Sequence, residues 1–171
     1  TSFNAVAELI NAGHQEIAFL TGSMDSPTSI ERLAGYKDAL AQHSIALNEK
    51  LIANGKWTPA SGAEGVEMLL ERGAKFSALV ASNDDMAIGA MKALHERGVA
   101  VPEQVSVIGF DDIAIAPYTV PALSSVKIPV TEMIQEIIGR LIFMLDGGDF
   151  SPPKTFSGKL IRRDSLIALS R

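Results

Sequence analysis

The stretch VSVIGFDDIAIAPYTVPALSSVKIPV, residues 105–130, decides how this chain folds. Its apolar run (Val105, Val107, Ile108, Phe110) stops abruptly at two carboxylates, Asp111 and Asp112. The run has the length and β-branching of a strand buried on both faces of a parallel sheet. The carboxyl ends of such strands are where open α/β sheets hold ligands. ALVASNDD, residues 78–85, repeats the design, with a short apolar run ending in Asn83, Asp84 and Asp85. Two strands that end in hydrogen-bonding side chains predict a shared cleft for a polar small molecule.

Working outward, the chain alternates helix and strand. Phe3, Val6, Ala7, Leu9 and Ile10 share one helical face, and Gly13 suits the left-handed residue after it. Strands are expected at residues 17–20, 51–53, 78–81 and 105–110. Between them, helices are expected from about Ser29 to His43, from Ser61 to Gly73, and from near Asp84 to Gly98. Thr28 with Glu31, and Ser61 with Glu64, have the spacing of capping boxes. This rhythm predicts an α/β fold, a largely parallel sheet with helices on both faces, whose right-handed crossovers bring the carboxyl ends of the strands to one edge. Beyond Asp112, prolines 117, 121 and 129 break up an irregular stretch that contains residues 124–128. An amphipathic helix follows with Met133, Ile134, Ile137, Ile138, Leu141, Ile142 and Leu145 on one side. A proline loop at residues 151–153 then leads to a last strand near residues 159–163.

The bulk properties bound the function. The 171 residues suit one domain or a large lobe of a two-lobed one, and 47% hydrophobic residues suffice for a core. No apolar run approaches the roughly 20 residues that cross a bilayer, and no signal peptide is visible, so no membrane role is expected. Without cysteine there are no disulfides or thiolate metal sites. A net charge of −5 argues against direct DNA binding by this chain, because phosphate neutralisation needs a basic patch. The densest basic cluster, Lys159, Arg162 and Arg163, reads as a solvated strand end. A helical pattern begins almost at Thr1, as expected of a cut through a longer protein.

Arg32, Asn83 and Asp111 are the leading site candidates. A carboxylate accepts from vicinal sugar hydroxyls, and a guanidinium or amide donates to their oxygens. The competing reading of Asp84 and Asp111 is helix capping. It is preferred for Asp84, whereas the prolines after Asp111 favour ligand binding there. Trp57, the only tryptophan, sits in a polar loop where its indole could stack on a sugar or simply cover the edge of the core. Ser26 and Thr28 precede Arg32 and could reach the same cleft, although Thr28 also reads as a cap. His14, His43 and His95 lie near helix ends, which favours solvated or dipole-related roles. They lack HxxxH spacing, so neither a metal nor another cofactor is expected. Asp111 with Asp84 or Asp85 could approach the carboxylate separation of a glycosidase. Binding of hydroxyls explains the same residues, so no enzyme is expected.

Five segments, RLAGY (32–36), SNDDMAIGAM (82–91), VIGFDD (107–112), PALSSV (121–126) and LIRRDS (160–165), resemble the effector domain of the LacI/GalR family of bacterial transcription regulators. The resemblance implies a two-lobed, periplasmic-binding-protein-like fold. Residues 1–126 would form its carboxyl-terminal lobe, 127–154 a crossover and helix belonging to the amino-terminal lobe, and 155–171 a return strand and tail. Most of the amino-terminal lobe and the helix-turn-helix headpiece that reads operator DNA would lie outside this chain. Residue by residue, the family's effector contacts fall on Arg32, Asn83, Asp111, Trp57 and Thr28, while Val130 stands where some relatives carry an aromatic. Family dimer contacts fall on Ile88, Met91 and Tyr118, for which ordinary core packing is the alternative. The function so implied is a cytoplasmic, homodimeric, sugar-sensing repressor of carbohydrate genes, with β-glucosides the sugar class. A periplasmic sugar-binding protein serving transport is the alternative.

Overall fold

A computed structural model describes residues 1–150, 152 and 154–169. Ser151 and Pro153 of the expected proline loop, and Ser170 and Arg171 of the expected tail, lie outside the described residues. Strands β1 (Ile17–Thr21), β2 (Ile52–Asn54), β3 (Ala78–Ala81), β4 (Ser106–Phe110), β5 (Ser124–Lys127) and β6 (Lys159–Ile161) form one sheet in the order β2-β1-β3-β4-β5-β6. The first five are parallel and β6 runs antiparallel to β5. The parallel expectation therefore holds except at the last strand. The stretch expected to be irregular contains β5, a strand buried except at Lys127.

Helices α1 (Ser2–Asn11) and α2 (Pro27–Gln42) cover one face, α3 (Pro59–Glu71) and α4 (Asp84–Glu96) the other. Side chains alternate across each strand, which builds the two cores. Ile17 and Phe19 of β1, Ala78 and Val80 of β3, and Ile108 and Phe110 of β4 meet Leu9, Tyr36 and Leu40. Ala18, Leu20, Leu79, Ala81 and Val107 meet Val66, Leu69, Met86 and Leu94. The chain steps from β1 outward to β2, then crosses back to β3 and onward through β4 and β5. The topological switch point thus lies between β1 and β3, where such sheets leave a crevice at the carboxyl edge.

Two helix starts differ from expectation for one reason. Proline lacks an N–H and has a helical φ, so it suits the first helical position. Pro27 and Pro59 take that position in α2 and α3. Ser26 becomes the N-cap of α2, without a side-chain cap bond, and Thr28 lies inside the helix rather than capping it. Thr58 caps α3 in a reciprocal box with Ser61, three residues before the expected start. Gly13 adopts the left-handed conformation expected after α1, and Gly73 and Gly98, where α3 and α4 were expected to end, adopt it too.

Two side-chain expectations are overturned. His14 is fully buried, with Nδ1 2.9 Å from Ser77 Oγ and Nε2 3.1 Å from the Ile167 carbonyl. It joins α1 to the carboxyl-terminal segment, a role set by a partner remote in sequence. Arg163 is no solvated strand end either. Its guanidinium is largely covered and donates to Asp112 Oδ1 (2.6 Å) and the Leu123 carbonyl (2.7 Å), while Arg162 pairs with Glu8. Helix α5 (Val130–Leu145) buries none of its residues.

Candidate functional site

All of the leading candidates come from the loops and helix starts that follow the strands at the carboxyl edge of the sheet. Arg32 is on α2 after β1, Trp57 on the turn after β2, Asn83 at the end of β3, and Asp111 directly after β4. The centre of the site is the Arg32 guanidinium. Its Cζ lies 4.5 Å from the centroid of the Phe110 ring and 5.8 Å from that of Trp57, within cation–π range of both. Nη1 donates to the Ser82 carbonyl, and Nη2 lies 3.4 Å from Asp111 Oδ1. The arginine side chain is 15% exposed and that of Asp111 is 44% exposed. So open an ion pair adds little to stability. Its value is a fixed cation beside a carboxylate that still has free lone pairs.

Two of these residues adopt backbone conformations that side chains seldom accept. Trp57 has φ +65° and Asp111 φ +100°, which is strain of a kind that clusters at functional sites. The Trp57 indole lies over the backbone of Gly22, so a Cβ there would come 2.1 Å from Cζ2. Asn83 is largely committed to the fold. Its Oδ1 accepts from the Met86 N–H (2.9 Å) as the N-cap of α4, and its Nδ2 donates to the Trp57 carbonyl (3.0 Å). One hydrogen of that amide is left for a ligand. Thr28 is exposed one helical turn before Arg32, and therefore on the same face of α2. Ser26 caps that helix and is half-buried. Asp111 also borders an open depression lined by Lys127, Ile128, Val130, Glu132 and Lys159.

Asp84 does not cap α4 as expected, because Asn83 takes that position. Its buried carboxylate accepts from the Ser125 hydroxyl (2.6 Å) and the Ile113 N–H (2.9 Å). Burial pushes its pKa up to about 6; Asp111 and Asp112 push the same way, and the two hydrogen bonds oppose them. Sequence reasoning singled out Asp84 but read it as a cap, and it missed Phe110 as a platform for Arg32 and Arg163 as the partner of Asp112. Phe110 gave no signal, since a strand-terminal phenylalanine reads as core. Among the described residues no cluster of histidine and carboxylate side chains could hold a metal, and no helix is long and apolar enough to cross a membrane.

A family model described as a periplasmic binding protein-like domain matches residues 6–166. The chain belongs to this family. The domain is 99% identical, over its whole length and 51% of the relative, to the HTH-type transcriptional regulator AscG of Escherichia coli (strain K12). It is 35% identical over 95% of its length, and 48% of the relative, to the regulator GalR of the same organism. The chain thus spans about half the length of the curated relatives it matches. Among solved structures it resembles a sugar-binding transcriptional regulator of the LacI family from Escherichia coli, complexed with phosphate. That match has a TM-score of 0.95 and 99% identity, over 99% of this chain and 61% of the other. A transcriptional regulator CelR–cellobiose complex matches with a TM-score of 0.90 and 32% identity, over 96% of this chain and 50% of the other. The likeness to LacI-family regulators therefore extends from short motifs to the whole architecture.

Proposed function

We propose that this chain is the sugar-sensing region of a DNA-binding transcriptional repressor that controls carbohydrate utilisation genes, with β-glucosides as the effector class. The observation that carries this reading is the Arg32 guanidinium, within cation–π range of both Phe110 and Trp57 and paired with the half-open carboxylate of Asp111. The partly exposed Trp57 indole suits the C–H face of a sugar ring, and the adjacent cation and carboxylate suit its hydroxyls. Near-identity to a protein named as a transcriptional regulator favours a cytoplasmic repressor over a periplasmic transport protein of the same fold, and a structural relative holds cellobiose. Ser26, Thr28 and the remaining Asn83 N–H would complete the contacts, and residues 127–154 would belong to the opposing lobe.

Effector binding would favour one inter-lobe geometry through its differential affinity for the two. Operator DNA would be reached through a headpiece outside these residues. Ile88 and Met91 border a surface depression on α4 together with Val120, and Tyr118 nearby is 78% exposed. These residues would form the contact between two copies. Of the two carboxylates that could accompany Asp111 in a hydrolase, Asp84 is enclosed by Ser125 and Ile113, which counts against its use in that chemistry.

The test is titration of the full-length protein with cellobiose, salicin and a panel of hexoses, read by tryptophan fluorescence with a Trp57→Phe control. Saturable binding of one β-glucoside, weakened at least tenfold by Asp111→Ala or Arg32→Ala in a folded protein, is the expected result. Binding unchanged by both substitutions would remove these residues from the site. Silence toward every sugar would sink the effector assignment.

A further inference from the structure

The turn that carries Asp111 is unusual in having two consecutive non-glycine residues at positive φ, Asp111 at +100° and Asp112 at +54°. Such a turn persists only where its surroundings over-determine it. What holds it is a relay that begins on another element. Asp84, in the first turn of α4 and fully buried, accepts from Ile113 N–H on the far side of the turn and from the Ser125 hydroxyl on β5. The same Ser125 Oγ accepts from the Asp112 N–H at 3.0 Å. On the near side the Asp111 N–H donates to the Val126 carbonyl at 2.9 Å. The Asp112 carboxylate is itself held by Arg163 and, at 3.9 Å, by Lys127. Gly109 makes room for the relay, since a Cβ at that position would lie 2.1 Å from Asp84 Oδ1.

From this geometry we infer that Asp84 is a positioning residue of the effector site: through Ser125 and the Ile113 N–H it fixes the left-handed turn that directs Asp111 at Arg32. This inference rests on Asp111 being an effector contact. Asp84 itself touches neither Arg32 nor the open cleft. Its effect reaches the ligand only through the backbone of residues 111–113. The two adjacent residues Asn83 and Asp84 then have separate tasks, the first starting α4 and steadying the Trp57 turn, the second shaping the turn after β4.

Asp84→Ala removes both acceptors, whereas Asp84→Asn keeps an oxygen for the Ile113 N–H and an amide that can donate to Ser125 Oγ. In the full-length protein, amide exchange at residues 111–113 should accelerate more than tenfold in the alanine variant, and less than threefold in the asparagine variant. Exchange in β1 and β3 should be unchanged in both. Affinity for whichever of cellobiose or salicin the wild type binds should fall about tenfold in the alanine variant and recover in the asparagine variant. Ser125→Ala, which interrupts the relay while leaving Asp84 in place, should reproduce the local acceleration even if the Asp84→Ala protein does not fold. Unchanged exchange at residues 111–113 in the alanine variants, or an increase spread equally across the sheet, overturns the inference. Should the wild type bind neither sugar, the effector reading fails while the exchange results still decide whether Asp84 holds the turn.

Discussion

His14 and Asp84 are both fully buried, His14 just before β1 and Asp84 just after β3, and their titrations pull stability in opposite directions. Burial lowers the pKa of His14 below its ordinary 6.5, outweighing the bond to Ile167 that favours the charged form. The unfolded chain then gains the proton first as pH falls below 6.5, so the native state loses stability on the acid side. Asp84 has the opposite sign. With a folded pKa of about 6 against an ordinary 3.8, the native state keeps a proton that the unfolded chain has already released. Its contribution to stability therefore decreases as pH rises from about 4 to 6. Urea midpoints of the full-length protein measured from pH 4 to 8 should separate the two. Relative to wild type, Asp84→Asn should be more favourable at pH 7 than at pH 4.5, and His14→Gln should improve as pH falls below 6.5. Profiles parallel to wild type would contradict both assignments. Neither burial was legible in the sequence. The partners of His14 lie on the loop before β3 and on the carboxyl-terminal segment, and no local pattern announces a contact of that range. Asp111, in contrast, stood out where it ends an apolar run, and Trp57 as the only tryptophan, set in a polar loop; the fold brings both beside Arg32.

At the scale of elements, α3 and α4 pack so closely that side-chain size at their crossing is decisive. A Cβ on Gly89 would lie 1.8 Å from the Pro59 carbonyl oxygen, and one on Gly62 would lie 2.0 Å from that of Met86. Backbone cannot move aside as a flexible side chain can, so Gly89→Ala should cost about 3 kcal/mol, at the upper end for overpacking. Loss of the Thr58 cap is a milder perturbation, confined to the start of α3. Thr58→Ala removes the oxygen that accepts from the Ser61 N–H and should cost about 1 kcal/mol. Denaturant unfolding of the two variants checks the order, and an equal or reversed cost would show that the crossing is less rigid than its geometry. Hydrophobic periodicity made the existence of all five helices legible, since each packs one face, or in α5 presents one, along a single stripe. The starts of α2 and α3 were less legible, because several hydroxyl and acidic residues there compete for the cap and only the prolines decide between them. Strand β5 went unread as a strand because SSVK has little apolar character. Its place is set by pairing with Ile108, Gly109 and Phe110 of β4 and by Ser165, whose Oγ accepts from the Ser124 N–H.

On the scale of the whole molecule, the two cores account for helices α1 to α4, while α5 belongs to neither and buries none of its residues. Ile134, Ile137, Ile138, Leu141 and Ile142 are each 50–55% exposed and Leu145 is 85% exposed, all along one side of the helix. Apolar surface contiguous on this scale is uncommon on a soluble monomer and marks a binding face. The proposed placement of this helix in the opposing lobe accounts for the stripe, and makes a specific prediction about these 171 residues by themselves. With the face uncovered, they should self-associate in a concentration-dependent way, burying α5 against α5. Replacing Ile138 and Leu141 by glutamate should shift sedimentation toward monomer, while the unfolding midpoint changes little because neither side chain packs in a core. The same pair of substitutions in the full-length protein should do the reverse, destabilising it by placing charge in a covered interface. A full-length protein that tolerates both glutamates would show that α5 remains exposed there too, and the assignment of residues 127–154 to the second lobe would fall with it.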